Sequence, residues 1–144
     1  MHPLASLKAL QRLSLVALFF VMSVAVVRPI DASAQDNSYT IYFDNTDGWK
    51  EVWTWVWDNN KNYTGDTNAK WPGVKISLSK DYPKLYSYTF TSTNNNNDNN
   101  NKLKCIFNNG KNSGNIQTQD MELKNGHVYS IANNGTDLGP ASEY

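Results

Sequence analysis

The chain of 144 residues is poor in the groups that most enzymes use. It has one cysteine, Cys105, so no internal disulfide can form and stability must come from packing. Beyond residue 34 there is one histidine, His127, and no arginine. A lone His and a lone Cys, far apart, match no metal-ligand spacing, so no metal site and no cofactor are expected. HExxH, a Gly-rich phosphate loop and a G-x-S-x-G elbow are all absent. Ten lysines against nine aspartates and three glutamates leave residues 35–144 with a formal charge of −2. With no arginine and no basic excess, nucleic acid is not an expected partner. Cys105 lies in an apolar run and is read as a core thiol.

Catalysis by carboxylates is harder to exclude. A glycosidase needs two of them about 5–9 Å apart, and the chain beyond residue 34 offers twelve. Most, including Asp44, Asp47, Asp58, Asp66 and Asp81, fall in turns, where side-chain capping accounts for them. A small domain also has little material for a deep, water-excluding cleft. No catalytic residue is assigned, and no loop has a known calcium pattern.

One long apolar run exists. Leu13–Val27 spans 15 residues, follows Lys8 and Arg12, and ends at Arg28-Pro29 before Ala32-Ser33-Ala34. This is the layout of a secretory signal peptide over residues 1–34. A spanning helix needs roughly 20 apolar residues, so an uncleaved anchor is the weaker reading. The protein is expected to be secreted, extracellular or periplasmic, with no membrane association after cleavage. Residues 35–132 are read as one domain, and the Gly- and Asn-rich tail 133–144 is expected to fray.

Aromatic and amide side chains are abundant. All five Trp, eight Tyr and twenty Asn lie beyond residue 34. Aromatic faces cover the apolar C–H faces of sugars, and amides pair with hydroxyls. Helical periodicity is missing. Short β-rich runs recur near residues 39–44, 51–57, 74–79, 85–91, 103–108, 119–123 and 127–131, separated by turn signals such as Asp47-Gly48, Asn109-Gly110 and Asn125-Gly126. The expected fold is all-β: a single-domain antiparallel β-sandwich of about seven to eight short strands. The tract Thr93–Asn101, seven of whose nine residues are Asn, is expected to be a mobile hairpin tip without function.

The segment Val52-Trp53-Thr54-Trp55-Val56-Trp57 is the most informative. Alternate strand residues face opposite ways. Either the indoles or the Val/Thr/Val set faces the core. The β-branched set is the better core face, because three adjacent indoles would crowd a small sandwich. Trp53 and Trp55 are then expected outside, as a binding patch. Trp57, at the strand end, is assigned to packing. Trp71, in Trp71-Pro72-Gly73, sits in a rigid turn that could form a second wall.

Tyr42-Phe43-Asp44-Asn45, the block from Gly48 to Trp57, Trp71-Pro72-Gly73, Ile106-Phe107-Asn108-Asn109-Gly110 and Gln117-Thr118-Gln119-Asp120 resemble, in order, the signature blocks of carbohydrate-binding module family 26. The resemblance implies a β-sandwich that binds starch, glycogen or malto-oligosaccharides without catalysis. It implies a site of Trp53, Trp55 and Trp71, where the family more often has tyrosine at the first two. It also implies a hydroxyl partner at Gln117, with Gln119 the near alternative, and Asn109 is counted as a second ligand-binding amide. The loop from Asp58 to Lys70 is longer than the family's usual. Two indole planes at an angle suit the curvature of an α-1,4-glucan. Each stack removes apolar surface from water at about 25 cal/mol per Å², partly offset by lost freedom, so dissociation constants of about 10–100 µM are expected. The competing expectation is a protein-interaction domain whose tryptophan patch docks a secreted amylase or surface partner.

Overall fold

The computed structural model describes residues 36–65, 69–110 and 116–144. The signal peptide expected over residues 1–34 lies outside the described residues. Eight strands form: β1 Asn37–Asp44, β2 Val52–Trp57, β3 Val74–Leu78, β4 Tyr86–Ser92, β5 Lys104–Asn108, β6 Met121–Glu122, β7 His127–Ser130 and β8 Thr136–Pro140. All seven expected strands are present within a few residues of their expected ends. They hydrogen-bond in the order β6-β5-β2-β3-β4-β1-β7-β8. Every neighbouring pair is antiparallel except β1 and β7, which run parallel.

The sheet is not flat. Phe43 of β1 stacks on Phe107 of β5, ring centroids 4.7 Å apart. Three strands separate β1 from β5 in the hydrogen-bonded order. Their rings can meet only if the sheet doubles over, with β3 as the bend shared by both layers, pairing β2 through Ile76 and β4 through Ser77 and Leu78. The layers enclose Ile41, Phe43, Val52, Val56, Leu103, Cys105, Phe107, Leu123 and Tyr129, all fully buried. Burial of one such side chain stabilises by roughly 1.5–3 kcal/mol. Cys105 is buried in this core, and burial pushes its thiol titration up.

Two expectations are corrected. The tail does not fray: Thr136–Pro140 pairs with β7, Ala141 is buried, and the Tyr144 hydroxyl donates to Asp44. Pairing with β7 also sets Asp137 against two side chains, His127 Nδ1 at 2.8 Å and Lys124 Nζ at 3.0 Å. The Asn tract is not a loose tip either. Asn94 Nδ2 donates to Asp58 Oδ2, Asn96 Nδ2 to the Leu123 carbonyl, and Asn96 Oδ1 accepts from Leu103 N. Asn59 reaches across to Asn100 and Asn101. Amides that bury no apolar area have tied this loop down by hydrogen bonds instead.

Candidate functional site

Strand β2 alternates as its sequence requires. Val52, Thr54 and Val56 are fully buried, while Trp53, Trp55 and Trp57 are half-buried on the opposite face. Thr54 tolerates the core because its hydroxyl donates to the Ile106 carbonyl at 3.0 Å. The outward face is therefore set by three β-branched residues that pack inward.

Trp71 arrives from the loop after β2. Its ring lies 6.4 Å from that of Trp55, with the planes inclined by 56°. The approach depends on Gly73, whose N–H bonds the Lys70 carbonyl at 2.8 Å and whose φ is +102°. A Cβ there would sit 2.1 Å from the Thr54 carbonyl oxygen, so only glycine lets the turn lie against β2.

Trp53 is held from two sides. Its Nε1 donates to Glu51 Oε2 at 3.2 Å, and Glu51 Oε1 pairs with Lys75 Nζ at 2.6 Å. The bond from Lys75, then that from the indole, hold the Glu51 carboxyl below its ordinary range. Beneath the indole lies Gly110; a Cβ there would come within 2.7 Å of Trp53 Nε1. One buried side chain braces both walls. Asn108 Nδ2 donates to the Pro72 carbonyl at 3.0 Å, and its Oδ1 accepts from Gly110 N at 2.9 Å.

A family model for starch-binding module 26 matches residues 41–123. The chain belongs to that family. It is a family of non-catalytic binding modules. Two solved structures share the module's fold. One is a family 26 module from Eubacterium rectale Amy13K, crystallised in complex with maltoheptaose, at 20% identity and a TM-score of 0.51. The match covers 72% of this chain and 47% of that one, so this chain spans about half of that protein's length. The other is the solution structure of CBM25-2 from the beta/alpha-amylase of Paenibacillus polymyxa, at 19% identity and a TM-score of 0.53, covering 74% of this chain and 95% of that one. No curated protein matches the chain.

In this family 26 module, Gln117 is exposed and pairs with Asn108, which pairs with Trp53, which pairs with Lys75. Directly opposed residues share a sheet face, so Gln117 lies on the face of the indoles. Gln119, the near alternative, donates instead to the Gly135 carbonyl at 3.3 Å, toward the β7–β8 end. Asn109 is buried, and its Oδ1 accepts from Ile116 N at 3.0 Å, one residue before Gln117. Asn108 was not a sequence expectation. Two adjacent amides carried no signal of which would point under the turn. Among the described residues, no group of three or more His, Cys, Asp or Glu side chains is placed to hold a metal.

Proposed function

We propose that the module binds α-1,4-glucans such as starch, glycogen or malto-oligosaccharides, after export, and performs no chemistry on them. Trp53, Trp55 and Trp71 stack on sugar faces. Gln117 supplies hydrogen bonds to hydroxyls from the same face; Asn109, buried and with its Oδ1 holding Ile116 N, fixes the backbone next to Gln117 rather than meeting the sugar itself. The observation that carries this reading is the inclined Trp55–Trp71 pair, 6.4 Å between centroids and 56° between planes. A flat polymer surface is best met by coplanar rings; a curved chain is best met by rings set at an angle. An affinity of about 10–100 µM corresponds to roughly −5.5 to −7 kcal/mol.

Native electrophoresis with and without soluble starch tests the proposal. Starch should retard the protein, and Trp55→Ala should restore its migration. Unchanged migration of the unaltered protein rejects it. Titration with maltoheptaose separates sugar binding from the docking of an amylase: saturable indole quenching is expected from the sugar alone.

A further inference from the structure

Trp57, assigned to packing at the strand end, is half-buried on the same face as Trp53 and Trp55, so part of its ring is open to solvent. Its register partners are Asn62 on one side and Lys104 on the other, and Lys104 is paired in turn with Glu122. Asn62, Trp57, Lys104 and Glu122 thus form a row across the outer face, with one aromatic plane among polar groups.

A groove of about 320 Å³ adjoins that row. Its lining includes Asn59, Asn99 and Asn100, the charged Lys102, Lys104, Asp120 and Glu122, and one apolar residue, Met121, so it shares Lys104 and Glu122 with the row. Its size lies at the lower end of small-ligand sites, roughly 300–1,000 Å³. The wall supplied by the Asn tract is held in place: Asn94 is bonded to Asp58, and Asn59 Nδ2 donates to the Asn100 carbonyl at 2.6 Å. The charges balance, with Lys102 and Lys104 set against Asp120 and Glu122. A surface mostly of amides and offsetting charges favours no ion. It suits a neutral ligand dense in hydroxyls.

We infer that Trp57 and this groove form a second glucan subsite, continuous with the first. The inference rests on the proposed function and extends it to chain length. At about 3.4 Å per strand residue, Trp57 stands roughly 13–14 Å from Trp53 along β2. A short oligosaccharide occupies the Trp53–Trp55–Trp71 end; a longer one continues over Trp57 to the asparagine wall. The Asn-rich loop then works as a length-sensing lip.

Calorimetric titration of the full chain with maltotriose and with maltoheptaose tests this. Trp57→Ala should weaken maltoheptaose about tenfold, equivalent to about 1.4 kcal/mol, and change maltotriose by less than about twofold. Lys104→Ala, on the surface, should weaken maltoheptaose selectively as well, and it decides the matter if Trp57→Ala does not fold. Equal losses for both sugars, or no loss with either variant, overturn the subsite while leaving the primary site intact. If the unaltered protein binds neither sugar, or Trp55→Ala binds both normally, the underlying reading fails together with its extension.

Discussion

The side-chain amide of Asn108 donates to the carbonyl oxygen of Pro72 across 3.0 Å, although 36 positions separate them in the chain. The same side chain accepts from Gly110 N at 2.9 Å. One buried residue thus couples the turn that carries Trp71 to the turn that lies under Trp53. Asn108→Ala should leave both backbone groups without a partner, at about 1–3 kcal/mol each. Chemical denaturation should show that loss, and maltoheptaose affinity should fall. Asn108→Asp keeps the acceptor for Gly110 but has no donor for Pro72. It should weaken sugar binding through Trp71; sugar binding as tight as that of the unaltered protein would show that this bond does not position the loop.

Gly73 and Gly48 make a matched pair. Both have positive φ, but a Cβ at Gly48 meets nothing within 4 Å, whereas one at Gly73 meets the Thr54 carbonyl oxygen at 2.1 Å. Gly48→Ala should cost only the left-handed backbone strain, about 1–2 kcal/mol, with sugar binding unchanged. Gly73→Ala should cost more and weaken maltoheptaose binding, because the turn must lift from β2. Thermal melts and titrations of the two variants check this, and equal behaviour would refute the steric account.

Asp58 provides a pH-dependent contribution. Burial pulls its carboxyl titration upward, yet the bonds from Asn94, Asn60, Tyr63 and Lys61 outweigh burial and hold it below the ordinary aspartate range. A group depressed in the folded state stabilises fully above its unfolded pKa, about 3.9 for Asp. That stability is lost as pH falls through the lower folded value. At pH 7, Asp58→Asn should be less stable than the unaltered protein by roughly 1.5–3 kcal/mol, the worth of hydrogen bonds to a charged group. In urea denaturation the gap should close as pH drops below about 4. A gap independent of pH would mean that the charge is not what the loop requires.

The C-terminal strand should be needed for stability. A chain ending at Asn134 loses β8 and uncovers Val128, which is fully buried. Uncovering that side chain alone costs roughly 1.5–3 kcal/mol. Circular dichroism should show a lower melting temperature. An unchanged melt would mean that the tail contributes nothing.

Much of the fold was legible because it was locally encoded. The run from Val52 to Trp57 carries a period-two pattern, and a strand has only two faces on which to put it. The β-branched set at 52, 54 and 56 therefore decided where the indoles point. Strand β8 was missed because Thr136-Asp137-Leu138-Gly139-Pro140 lacks that pattern. An edge strand ending in proline is recognisable only by its partner. The Asn tract was misread for a related reason: amides look the same in sequence whether they face water or hold Asp58 and Leu123.

The order of residues along each strand, by itself, determined which side chains enter the core and which family the module belongs to. Only the tertiary structure decided the 56° inclination of Trp71 to Trp55 and the brace at Asn108. Facing is a property of one strand and its pleat. The angle between two rings on separate segments depends on how the sheet doubles over and on the loop between them, and no local pattern records that path.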